Sequence, residues 1–227
     1  MKADKCYNCH IKCVAARNLD TTQIVVMEHN SAQVTFKKGE IIFKQDALSL
    51  NVAFLKEGLA KIHMHGPAHE KIIKIVKAPC YLGIPTTIGD KINLYSATAL
   101  QDNTTVCFID VNLFRNFIIS NGTFAYEIIL DLCKNELSDY QRYVNQSQKQ
   151  VPGLVAETLV CLAEKIFECN TFSLPLTRSE LGDLVGASRE NISRVLTDFS
   201  NAGIIRINAK EIEILDIKKL EAIRQKG

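Results

Sequence analysis

Three cysteines stand within eight residues near the start of the chain, Cys6, Cys9 and Cys13, spaced C-x2-C-x3-C. Thiolates this close can converge on one soft metal centre, either zinc or an iron–sulfur cluster. Both centres usually take four ligands, so a fourth must come from elsewhere in the chain. A zinc site could include His10. A reversible thiol switch, or plain reduced cysteines, are the remaining readings. A second group of chemically capable residues lies at 176–206, LTRSELGDLVGASRENISRVLTDFSNAGIIR. Here Arg189, Glu190, Ser193 and Arg194 share the outer side of a helical pattern. Arginine can donate two bonds to guanine O6 and N7, glutamate can accept from cytosine N4, and serine can reach a base or a phosphate. A third group, His63, His65 and His69, reads as a polar hairpin tip around Gly66-Pro67 rather than as a metal site.

The elements around these residues follow from periodicity. Thr177 can N-cap a helix, and Glu180 three residues later completes a capping box. Leu181, Leu184 and Val185 give that helix its apolar face. Gly186 supplies a turn, and Ser188 caps the next helix, whose buried stripe is Ile192, Val195, Leu196 and Phe199. Gly203 ends it. A strand at 204–207, a turn at Asn208-Ala209-Lys210 and a strand at 211–215 form a hairpin after the helix pair. The whole reads as a winged helix-turn-helix, which places its second helix in the DNA major groove.

Upstream, short apolar runs at 33–36, 40–43, 52–56, 60–65, 71–76, 96–100 and 104–109 alternate with Gly, Pro, Asn and Asp. They predict a β-barrel or jelly roll. From Phe124 to about Gln148 the period becomes helical. Tyr126, Leu130, Cys133, Leu137, Tyr140 and Val144 step by four and three, an a/d seam suited to pairing with a second helix. Pro152-Gly153 predict a break, followed by a helix over 154–168 and a terminal helix over 217–225. The fold class is therefore α+β. A sensor domain spans 1–122, with its cysteine arm and barrel. A dimerisation helix spans 123–150 and a DNA-binding domain 151–227.

Composition limits the function. The net charge is +2, from 27 Lys+Arg and 25 Asp+Glu. Residues 151–227 carry 10 basic against 11 acidic side chains, so DNA affinity has to rest on local placement, as with Arg189, Arg194, Arg206 and Lys210. No apolar run reaches the length of a membrane span, and the first residues lack a signal peptide's apolar core. A cytoplasmic location follows as the expectation, and there eight cysteines are not a disulfide framework. Neither G-x-G-x-x-G nor a nucleophile elbow is present, so nothing points to an enzyme.

SRENISRVL followed by GII resembles the recognition helix of the Crp/Fnr family of bacterial transcription regulators. The family patterns Glu-x-x-Ser-Arg and Arg-Glu-x-x-x-Arg are both contained in it. FKKGEIIFKQD and AFLKEGLAKI resemble the opening hairpins of that family's cyclic-nucleotide-binding-type barrel. The resemblance implies a homodimer on double-stranded DNA, acting with RNA polymerase, with a TGA-like half-site core. It assigns Glu190 to a cytosine and Arg194 to a guanine, with Ser193 assisting and Arg189 acting on the outer bases. Thr177 and Ser188 join them at the helix starts. Iron–sulfur members of the Fnr branch place a fourth cysteine late in the sensor domain, after a segment similar to SATALQDNTTVC. Cys107 occupies that position, which implies a 4Fe–4S cluster on Cys6, Cys9, Cys13 and Cys107 that responds to oxygen or nitric oxide. Zinc is the alternative. The gap before Cys13 is shorter than in the best-known members. Members that bind cyclic AMP carry a Gly-Glu pair and an Arg-Ser pair. Gly83-Ile84-Pro85 and Tyr95-Ser96 stand there instead, without the acid or the arginine, which argues against cyclic AMP. Other readings are a family member without a cluster, and an iron–sulfur or zinc redox protein without DNA function.

Overall fold

A computed structural model describes residues 14–227. Cys6, Cys9, Cys13 and His10 lie outside the described residues. The chain divides into two compact units, the first ending at Glu136 and the second spanning Leu137–Gly227.

The first unit is built on two four-stranded antiparallel sheets. One contains β1 (Ser31–Phe36), β8 (Thr104–Asp110), β3 (Asn51–Glu57) and β6 (Cys80–Leu82), in that order. The other contains β2 (Ile41–Phe43), β7 (Ser96–Ala99), β4 (Leu59–His65) and β5 (Glu70–Lys77). Strand residues alternate between faces, and β3 is buried on both. Ala53 and Leu55 point inward to a core with Ile42, Ala60, Ile62, Leu82, Ala97 and Val106. Val52 and Ile109 point outward, under helices that bring Ile24, Met27, Phe114, Phe117, Phe124 and Ile128 onto that face. Those helices are α1 (Thr21–His29), α3 (Val111–Ser120) and the start of α4 (Gly122–Gln148). A run of aromatic contacts binds sheet to helices, from Phe54 to Tyr81 (5.1 Å between ring centroids), Phe114 (5.5 Å) and Phe124 (5.3 Å).

All seven expected strands are present. The eighth, β6, escaped notice because it is a three-residue edge strand. Helix α1 was also unforeseen, although Asp20 and Gln23 form a full capping box at its start. So was α2 (Ile84–Gly89) after Gly83. The histidine group is less polar than expected. His63 is buried, with Nε2 2.8 Å from Thr98 Oγ1 and Nδ1 3.0 Å from Glu70. His65 is exposed, and a bulge falls between Ile62 and His63.

In the second unit, Pro152-Gly153 do not break a helix. The break lies at Lys149–Gln150, and Pro152 sits in the first turn of α5 (Val151–Cys161), where a missing N–H costs nothing. The expected regular helix to residue 168 ends as α5 at Cys161 and continues as a π-helical turn, Leu162–Phe167. β9 (Thr171–Ser173), α6 (Arg178–Val185), α7 (Arg189–Asn201), β10 (Ile205–Asn208), β11 (Glu211–Ile214) and α8 (Ile217–Lys226) follow. β9 pairs with β11 and extends the hairpin to three strands. The sequence boundary at 122/123 falls at the start of α4, whereas the compact units part within that helix.

Candidate nucleic-acid interface and sensor sites

The second unit contains the helix pair the spacing predicts. Thr177 Oγ1 accepts from the N–H of Glu180 at 3.2 Å, and Glu180 Oε2 accepts from the N–H of Thr177 at 2.8 Å. That capping box starts α6. Gly186 ends it in the left-handed region at φ 82°, a conformation open to glycine without a Cβ penalty. Gly186 and Ala187 both donate to the carbonyl of Gly182, at 2.7 and 3.0 Å. Ser188 then starts α7, its Oγ accepting from the N–H of Asn191 at 3.2 Å. Ile192, Val195, Leu196 and Phe199 are buried, so one face of α7 is fixed and the other is presented to solvent.

Arg189, Glu190 and Arg194 stand exposed on that outer face, and Ser193 is half-buried beside them. The hydroxyls of Thr177 and Ser188 are taken up in capping, at the helix starts where main-chain N–H groups favour an anion. Arg206 does not stand as a lone cation. Its Nη1 donates to Glu213 at 2.5 Å, across the register pair of β10 and β11. Asn191 was missed by sequence reasoning. Its Oδ1 accepts from Arg194 Nη2 at 3.0 Å, a contact whose only prior signal was the i,i+3 spacing.

Residues 155–223 match the family profile described as a Crp-like helix-turn-helix domain, and residues 33–121 match that of the cyclic nucleotide-binding domain. The chain belongs to the Crp/Fnr family of transcription regulators. Its helix-turn-helix is a DNA-binding domain, and the protein is a regulator, not an enzyme. It is 26% identical over 184 residues to the transcriptional activator protein FnrA of Stutzerimonas stutzeri, covering 79% of this chain and 75% of that one. It is 25% identical to the nitrogen fixation regulation protein FixK of Bradyrhizobium diazoefficiens, covering 96% and 93%. The CRP-like cAMP-activated global transcriptional regulator of Mycobacterium tuberculosis is 23% identical, with 90% and 93% covered. In fold, the chain is similar to the crystal structure of FixK2 from Bradyrhizobium japonicum, with a TM-score of 0.76 at 17% identity, over 85% of this chain and 96% of that one.

Within this Crp/Fnr regulator, the stretch matching the nucleotide cassette is apolar. Ile84 is buried, and the Phe43 ring lies 3.4 Å from where a Cβ on Gly83 would stand. Phe43 packs on Tyr95 with ring centroids 5.9 Å apart, and Thr87 Oγ1 is held by Ser49 Oγ at 2.6 Å. Cys107 sits in the middle of β8, directly opposite Gln33 on β1 and Phe54 on β3. Among the described residues, no three His, Cys, Asp or Glu side chains are grouped to hold a metal ion. No helix among them is long and apolar enough to cross a membrane.

A cavity of about 150 Å³ borders the same part of the first unit, lined by Val14, Arg17, Phe54, Cys80, Tyr81 and Asp131 among others. Burial, assisted by the Asp131 carboxylate, pushes the Cys80 thiol up to about 12. At pH 8 only roughly one molecule in ten thousand would then carry the thiolate, the form that reacts. Cys80 is therefore expected to resist iodoacetamide in the native regulator at pH 8, while exposed Cys169 is alkylated. Peptide mass mapping after a timed reaction checks this, and alkylation of Cys80 as fast as Cys169 would refute it. Because the folded state holds this proton more tightly than an unfolded thiol does, its contribution to stability is full below about pH 9. It declines from there towards 12.

Proposed function

We propose that this regulator couples oxygen, nitric oxide or redox state to the binding of a palindromic DNA site. The signal would be received by a 4Fe–4S cluster on Cys6, Cys9, Cys13 and Cys107. What supports the reading is the setting of Cys107 and of the first described residue, Val14. Val14 lines the cavity beside Phe54, and Phe54 is the cross-strand neighbour of Cys107. Cys107 is held rigid by a strand on each side, as a ligand position requires. A cluster bound there supplies redox chemistry and oxygen lability. This chain's residues hold the thiolates and the strand that carries the fourth of them.

The other half of the reading is a homodimer paired along α4. Tyr126, Leu137 and Tyr140 are 59%, 67% and 58% exposed, and Cys133 and Val144 are exposed beside them. Leu130 is half-buried. Large apolar side chains spaced as an a/d seam and left in water are the expected form of a helix-pairing face. Pairing would set two α7 helices about one DNA turn apart, roughly 34 Å, for a site with TGA-like half-sites. Glu190 would accept from a cytosine, Arg194 would donate to a guanine with Ser193 assisting, and Arg189 would act on the outer bases. RNA polymerase would be the partner on the promoter.

Leu137→Glu tests the dimer directly. Leu137 is exposed in the single chain, so its replacement should leave the helical circular dichroism of the folded chain unchanged. It should convert the dimer to a monomer in light scattering and weaken binding to a two-half-site duplex by more than about tenfold. A variant that stays dimeric and keeps full affinity would remove α4 as the pairing surface.

A further inference from the structure

The guanidinium of Arg194 is already directed before any DNA is present. Its Nη2 donates to Asn191 Oδ1 at 3.0 Å, one helical turn towards the start of α7. Asn191 is itself held, because its main-chain N–H donates to the capping hydroxyl of Ser188. Ile192 and Val195, its neighbours on the inner face, are buried. The main chain that carries the acceptor is thus fixed by the helix cap and the core, and the Asn191 carboxamide draws Arg194 towards the end of α7 where Arg189 and Glu190 stand. In helix-turn-helix proteins that N-terminal end meets the base edges.

A free arginine has many rotamers, and freezing them on binding counts against affinity and precision. Asn191 occupies one of the five guanidinium N–H donors and leaves four, enough for a paired contact to guanine O6 and N7. We propose that Asn191 is a positioning residue for base readout, setting the Arg194 guanidinium so that discrimination at the guanine depends on a side chain that does not touch the base. The inference rests on the reading of Arg194 as the guanine reader.

The test uses the full chain and two duplexes. One carries TGA-like half-sites, and the other has each half-site G·C pair replaced by A·T. The ratio of the two Kd values measures discrimination. For Asn191→Ala this ratio should fall about three- to tenfold, the scale of one exposed hydrogen bond, while Kd for an unrelated duplex stays unchanged. Asn191→Asp keeps the acceptor but adds a negative charge near phosphates. It should weaken binding to every duplex and preserve the ratio. In an Arg194→Ala background, Asn191→Ala should change nothing further. An unchanged ratio in Asn191→Ala would overturn the inference. So would equal loss in the Ala and Asp variants with a lowered melting midpoint, since that marks damage to the helix. If Arg194→Ala alone keeps the wild-type ratio, the assignment of Arg194 falls, and that of Asn191 falls with it.

Discussion

Gly182→Ala is expected to lower the urea midpoint of the full chain and to weaken DNA binding, although alanine is the better helix former by about 1 kcal/mol. A Cβ on Gly182 would stand 2.4 Å from the carbonyl oxygen of Ala187, where ordinary contact begins near 3.4 Å. That oxygen belongs to the turn backbone and has no rotamer to escape into. The Gly182 carbonyl also accepts the N–H groups of Gly186 and Ala187, so helix and turn are tied at this point by two bonds as well as by contact. Relief requires α6 and the turn to part, which displaces the Ser188 cap and with it the first residues of α7. Strain from overpacking costs about 1–3 kcal/mol and outweighs the gain in helix propensity. We expect a net loss of about 1–2 kcal/mol for alanine and more for Gly182→Val. DNA binding should weaken by about tenfold, the worth of one good base contact. The check is urea unfolding followed by helical circular dichroism, paired with a DNA titration. A raised midpoint for Gly182→Ala would mean that the turn has room and that helix propensity decides the sign.

Gly182 also shows which features were legible beforehand. Its helix was readable from Thr177 and Glu180, and its turn from Gly186, because caps and left-handed turns need particular residue types within a few positions. The close approach that demands glycine at 182 was not readable, since it depends on where the turn backbone returns in space. The outer face of α7 was legible for the same reason as its buried stripe, both following from the 3.6-residue period. The Asn191–Arg194 bond was not, because it depends on side-chain rotamers. The β1–β5, β7 and β8 runs were legible from alternation between turn residues. β6 was not, being only Cys80–Leu82 on an edge. α1 carried a legible capping box in Asp20 and Gln23 but a weak apolar pattern, with Val25 and Val26 both left exposed. The pairing of Arg206 with Glu213 depends on cross-strand register, fixed by a turn in which Ala209 takes φ 53° where glycine or asparagine would have announced it. The π-helical turn at Leu162–Phe167 similarly inserts one residue that no periodicity marks.

The largest expected effect concerns Cys107. Purified without oxygen, the regulator should be coloured, with iron and sulfide near four per chain and an absorption band that air bleaches. Cys107→Ala should remove the colour and most of the iron, whereas Cys80→Ala should leave both. Both cysteines belong to one sheet and both stand near Phe54. Cys107 is opposite Phe54 on the helix-covered side. Cys80 is opposite Leu55, whose side chain points into the barrel core. The Cys107 row shares a face with Phe54 and Tyr81, but Cys80 borders the cavity that these two rings line, so strand side alone does not separate the thiols. What distinguishes Cys80 is its raised pKa, since a ligand must give up its proton to bind. Cys107 is only half-buried, so alanine there removes a thiol without opening a large core cavity, and an unchanged melting midpoint of the metal-free protein would exclude misfolding as the cause of lost iron. Colour that survives Cys107→Ala but disappears in Cys80→Ala would transfer the fourth ligand to β6. A colourless wild-type protein with one zinc per chain would replace redox sensing by a structural centre on the same cysteines. A protein with neither metal would leave the DNA-binding half of the proposal standing and detach it from any cluster.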